Sequence, residues 1–77
     1  MPLREWKAAQ AFNRGNTDGY NAANYAEAYE GERDTDAVEA MADDYGWSAF
    51  PDDDYLRNEA VCGWLIGWDE YESEQES

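Results

Sequence analysis

One apolar stripe constrains this chain more than any other feature of it. Val61, Trp64, Leu65 and Trp68 fall at i, i+3, i+4 and i+7, the spacing of one helical face, and Tyr71 carries the stripe a turn further. Two tryptophans on one face can each bury roughly 150–250 Å². In a chain of 77 residues the other segments must then be arranged largely to cover them. That length lies near the lower limit at which a core holds without disulfides or metal, which leaves room for one domain. Four Trp, six Tyr and two Phe supply bulky apolar surface that disordered acidic chains lack, so residues 1–71 read as a single folded helical domain. Residues 72–77 have no apolar period and read as an acidic C-terminal tail, frayed or disordered.

The remaining segments read as helices too. From Leu3 onward, Ala8, Phe12, Gly15, Gly19, Ala22, Ala26 and Tyr29 advance by threes and fours, which predicts a first helix over about 3–30 with a stripe of small side chains. The segment from Asn13 to Gly19 competes as a loop, because each Gly costs a helix about 1 kcal/mol relative to Ala. The two glycines sit four apart on the stripe, however, where they would form a notch for Trp64 or Trp68. Asp34 or Thr35 can cap a second helix over about 35–45, with Val38, Met41, Ala42 and Tyr45 as its apolar face and Gly46 placed as a left-handed C-terminal cap. Trp47 to Pro51 follows as an aromatic linker. Asp52, Asp53 and Asp54 then open a third helix over about 53–71, where first-turn carboxylates complement the helix dipole. No strand pattern occurs, so the fold class expected is a small all-α, three-helix domain.

Charge narrows the choice of function. The net charge is -14, from 19 acids and five bases. Residues 1–26 hold Arg4, Lys7 and Arg14 against Glu5 and Asp18, whereas residues 27–77 hold Arg33 and Arg57 against 17 acids. Such a field repels nucleic acid and anionic lipid, and it attracts basic surfaces over a Debye length of about 8 Å at physiological salt. Direct nucleic-acid binding and membrane association are therefore not expected.

The inventory for chemistry is poor. There is no histidine, which removes the usual general base and metal ligand. The segment from Arg14 to Tyr25 has Asn16 and Asp18 at the third and fifth positions of a calcium loop. Its first position would be Arg14 and its twelfth Tyr25, so no metal site is assigned. Neither a phosphate-cradling loop nor a paired-cysteine motif occurs, and no cofactor or enzymatic activity is expected. Cys62, the only cysteine, is expected as a small buried hydrophobe in a reducing compartment. With no long apolar run and no apolar signal core, the chain is expected in the cytoplasm of a bacterial host.

Two blocks of the sequence resemble a known family. Arg14, Gly15 and Gly19, then Pro51, then Trp64, Leu65, Gly67 and Trp68 are similar to the motifs of the ribosome modulation factor family of small helical bacterial proteins. The match spans about 35 residues, and residues 27–50 have no counterpart in it. The resemblance implies a tryptophan helix packed on a glycine-notched one. It also offers a ribosome-associated role, although that family is basic and binds ribosomal RNA.

The leading functional expectation is an acidic nucleic-acid mimic, an inhibitor whose carboxylates occupy the Lys/Arg surface of a nucleic-acid-binding protein. In size and acidity the chain also looks like the small phage-encoded anti-CRISPR proteins that block DNA recognition by a CRISPR effector. The partner-binding residues expected are Glu27, Glu30, Glu32, Asp34, Asp36, Glu39, Asp43, Asp44, Asp52, Asp53, Asp54 and Glu59. The alternatives are acidity that serves only solubility or salt adaptation, and an adaptor that uses an aromatic patch around Trp47 and Phe50.

Overall fold

The computed structural model describes residues 3–29 and 34–76, and its ordered elements are three helices: α1 (Leu3–Tyr29), α2 (Thr35–Ala49) and α3 (Asp54–Glu76). The chain is all-α, as the apolar periods require. The segment from Asn13 to Gly19 is helical, so the loop alternative fails there.

The path of the chain follows from which residues meet. Arg4 lies over the Tyr55 ring at 4.6 Å, Gly15 faces Ala60 and Trp64, and the Tyr20 and Tyr71 rings meet edge-on at 5.2 Å. Residue numbers rise together along both helices, so α1 and α3 run parallel. α2 returns antiparallel between their ends, with Val38 near Trp68 and Gly46 against Val61 and Arg57. At about 1.5 Å per residue, the 27 residues of α1 span about 40 Å. That matches the molecule's long extent of 39 Å.

Four glycines decide how α1 and α3 pack. A Cβ added at Gly15 or Gly19 would strike the carbonyl oxygens of Ala60 and Trp64. One added at Gly63 or Gly67 would strike those of Phe12 and Asn16. Backbone nitrogens lie close behind, Trp64 N 3.1 Å from the Gly15 position and Tyr20 N 2.9 Å from the Gly67 position. The direction each missing Cβ would take is aimed at a carbonyl oxygen, the arrangement of an interhelical Cα–H···O contact. The expectation that Gly15 and Gly19 form a notch for indole rings is corrected here. They are matched by Gly63 and Gly67, which repeat the same spacing on α3, and the two pairs let backbone meet backbone. Small residues four apart permit this approach, a motif best known between membrane helices.

The indoles fill the neighbouring space. Trp64 and Trp68 are stacked, with centroids 5.2 Å apart, and only 3% and 4% exposed. They pack with Ala23 and Ala26 of α1 and Val38 and Ala42 of α2. Alanines dominate the rest of the core, with Ala8, Ala11 and Ala60 buried, so bulk comes from α3 and closeness from α1.

Several expected boundaries shift. α2 continues a turn beyond Tyr45, taking in Trp47 to Ala49, and is capped at Phe50, whose N–H donates to the Gly46 carbonyl at 2.9 Å. Gly46 is thus helical and buried against the side chains of Val61 and Arg57, and is not a left-handed cap. α3 continues through the expected tail to Glu76 because two contacts hold the extra turns. The Trp68 indole N–H donates to Glu72, and the Tyr20 hydroxyl donates across from α1 to Glu74. Cys62, expected inside, is exposed on the outer side of α3.

Candidate acidic interface

The carboxylates take their places from the caps and the periods. At the start of α2, Asp34 has extended backbone and accepts the Ala37 N–H at 2.8 Å, so it is the N-cap. Burial of Val38, Ala42 and Gly46 turns the opposite face of α2 outward, where Asp36, Asp43 and Asp44 stand exposed, with Glu39 exposed at its edge toward α3. From Asp34 to Asp44 the helix advances about 15 Å and carries five acids, a mean spacing of about 4 Å. A single DNA strand carries one charge per about 3.4 Å, so the linear charge density is comparable.

The aspartate triplet behaves differently. Asp53 accepts the Leu56 N–H at 3.1 Å and so caps α3, while Asp54 pairs with Arg57. The Arg57 guanidinium lies 3.6 Å from the Trp47 ring centre and donates to the carbonyls of Phe50 at 3.2 Å and Pro51 at 3.1 Å. Its charge is therefore held within the α2–α3 connection. Trp47, 58% exposed, shows its other surface to solvent.

The expected residues do not form one surface. Asp52, Asp53 and Asp54 sit at the end of the molecule where α1 and α3 begin, with Arg4, Lys7 and Asp53 around one shallow cavity. Glu27 is at the other end, close enough to the Tyr71 phenol to raise it. Glu59 is half-buried on α3. Glu30 and Glu32 lie outside the described residues.

Sequence reasoning missed the acids of the last turns of α3. Asp69, Glu70, Glu72 and Glu74 are exposed on a continuous helix, and Asp69 and Glu72 share a groove with Glu39 of α2. The i, i+4 relation of Trp68 to Glu72 was the available signal. Because α1 and α3 are parallel, their negative dipole ends also lie together, beside Glu27, Glu72 and Glu74. Neither helix has a basic residue in its last turn to offset them.

Hydroxyls tie the helices together on this side. Tyr45 of α2 donates to Asp18 of α1 at 2.6 Å, and burial followed by this bond pushes the phenol up to about 12. Tyr71 donates to Asn24 at 3.1 Å. Its phenol is pushed up to about 12, chiefly by the Glu27 carboxylate. Tyr20 is raised as well, first by its bond to Glu74.

The fold and its surface define a small all-α domain with a negative ridge on α2 and a negative pole beside it. Compared with known proteins, the chain matches no family model, and neither a curated protein nor a solved structure matches it. Among the described residues no helix is long and apolar enough to cross a membrane, and no group of three potential ligands could hold a metal ion.

Proposed function

We propose that the protein is a nucleic-acid mimic, a cytoplasmic inhibitor that places the ridge of α2 and the adjoining carboxylates of α3 on the Lys/Arg surface of a nucleic-acid-binding protein. The observation that carries the reading is the ridge itself. Asp36, Glu39, Asp43 and Asp44 stand on a helix at a density close to that of phosphates on one strand, and no described basic residue pairs with them. Fixed charges on a packed helix lose little freedom on binding, which favours a rigid imitation over a flexible acidic tail. A CRISPR effector is the particular partner that size and acidity suggest, and inhibition of its DNA recognition is the particular activity. With no histidine in the sequence, the reading assigns the protein no catalytic role.

An adaptor reading draws support from Trp47, which is large, exposed and stiffened by Arg57. One experiment separates the two. The wild-type chain, the ridge variant D36K/D43K/D44K and W47A are immobilised, incubated with lysate of bacteria carrying CRISPR effectors, and eluted with rising salt. The mimic reading expects a basic nucleic-acid-binding protein from the wild type and W47A at intermediate salt, displaced by duplex DNA and absent from the ridge variant. Capture that survives charge reversal but is lost in W47A overturns it in favour of the adaptor.

A further inference from the structure

The convex ridge of α2 offers charge but no depth. Depth lies beside it, in a groove of about 260 Å³ between the first half of α2 and the last half of α3. Its floor is apolar, made by Val38, Leu65 and Trp68, and its rim carries Glu39, Asp69 and Glu72. We infer that this groove receives one arginine side chain projecting from the partner. The inference rests on the mimic reading for the partner's identity, and on the groove's own chemistry for the arginine.

Three properties of the groove select that occupant. First, its carboxylates are available. Glu39 and Asp69 make no hydrogen bond or ion pair with described residues, and Glu72 uses only Oε1, to accept the Trp68 indole N–H. That bond also orients Glu72 from a buried ring. Second, the three acids do not converge closely enough to hold a metal ion. Carboxylates spread around an apolar floor suit a cation that is itself extended and carries an aliphatic stem. Third, they stand on two different helices. A planar guanidinium with five donors can bridge such a pair, whereas an ammonium acts as a single point charge. The chain holds a guanidinium in a similar way within itself, where Arg57 joins an indole face, a carboxylate and two carbonyls.

The test is an NMR titration of the full chain with N-acetyl-arginine amide, using N-acetyl-citrulline amide as the neutral isostere and N-acetyl-lysine amide as the alternative cation. Saturable shifts are expected at the Trp68 indole N–H and at the amides of Thr35, Glu39, Asp69 and Glu72, with a millimolar dissociation constant. The double variant E39Q/D69N, whose changes are on the surface and whose spectrum reports folding, is expected to weaken binding about tenfold or more, equivalent to about 1.4 kcal/mol. An equal response to citrulline amide overturns the inference, as does an equal response to lysine amide. So do non-saturating shifts spread evenly over Asp36, Asp43 and Asp44. The ridge variant D36K/D43K/D44K leaves the groove's acids intact, so the two readings fail separately. No arginine binding, with partner release still caused by ridge reversal, removes the groove and keeps the mimic. Arginine binding with a partner indifferent to ridge reversal removes the mimic.

Discussion

At the scale of single residues the glycines of the α1–α3 contact dominate. Alanine at Gly19 or Gly63 places a methyl against a backbone carbonyl of the facing helix, which cannot rotate aside. Overpacking of this kind costs about 1–3 kcal/mol, offset in part by about 1 kcal/mol of helix propensity. With no side chain to give way, G19A and G63A are expected at or above the top of that range. For a chain of this length total stability is about 4–12 kcal/mol, so thermal melts should fall by 10 °C or more at about 4–8 °C per kcal/mol. At Gly46 the obstacles are side-chain carbons, Val61 Cγ2 at 2.5 Å and Arg57 Cγ at 2.9 Å. Val61 is stiff at χ1 and Arg57 is held by Trp47, Asp54 and two carbonyls, so G46A should also lose stability, by about 1–3 kcal/mol, but less than G19A or G63A because side chains yield before a helix backbone does. Equal losses at the three positions would remove the backbone contact as the cause. Gly15 and Gly19 were legible as a packing feature, but their counterpart was not. Gly63 and Gly67 immediately precede Trp64 and Trp68, and a glycine beside a tryptophan carries no local sign that it sets the distance between two helices. Cys62 was misplaced for a related reason, since a small thiol next to a buried glycine gives no sign of which face it occupies. Tyr45 supplies a second residue-scale prediction. Its phenol is raised from 10.0 to about 12 in the folded state, so the native form holds the proton more tightly. The associated stability is fully present below about pH 10 and is lost as pH rises toward 12. Melting temperature should fall across that window, less steeply in Y45F than in wild type. Identical slopes would exclude the Tyr45–Asp18 bond as a contributor.

At the scale of elements, the start signals were legible, as was the end of α1, and the stop signals of α2 and α3 were not. Asp34 and Asp53 act through single carboxylates on identifiable N–H groups, a local chemistry that sequence encodes directly. The ends of α2 and α3 depend on partners distant in sequence. Gly46 offered a local reason to stop, but helical geometry there lets α2 approach α3, and the helix runs on to Phe50. The last turns of α3 are polar and have no period of their own, yet Tyr20 reaches Glu74 across 54 positions of sequence. Most of the candidate site that sequence missed lies in those turns. The caps give a prediction at this scale. D34A and D53A are each expected to cost about 0.5–2 kcal/mol, read as a lower urea midpoint. D34A should matter more to binding, because the α2 ridge begins at that cap. Hydrogen exchange offers the check, with loss of protection confined to the first turns of α2 in D34A. Loss spread evenly over all three helices would show that α2 has no separate local stability.

At the scale of the whole molecule, the parallel placement of α1 and α3 spreads charge unevenly along the 39 Å axis. Arg4 and Lys7 offset part of the charge of Asp52, Asp53 and Asp54 where these helices begin, whereas Glu27, Glu72 and Glu74 sit where they end, in last turns that hold no basic residue. A Debye length of about 8 Å at physiological salt prevents the two ends from neutralising each other, while neighbouring acids on α2 and α3 still repel. Added salt should therefore raise the melting temperature from a folded state already present in dilute buffer. A chain whose acidity is an adaptation to high salt would instead fold only as salt approaches molar levels. Binding supplies the opposite trend and the sharper test. Duplex DNA carries one charge per about 1.7 Å of axis, and its affinity for a basic surface falls steeply with salt because condensed counterions are released. The α2 ridge, at about one acid per 4 Å, condenses fewer ions, so its affinity for the same surface should fall with a shallower logarithmic slope. Raising salt would then make the protein a better competitor against duplex DNA for one partner, even as both bind more weakly. Competition assays at several salt concentrations measure the two slopes side by side. A slope for the protein as steep as that of DNA would mean that its contacts are more numerous and more diffuse than one ridge and one groove provide.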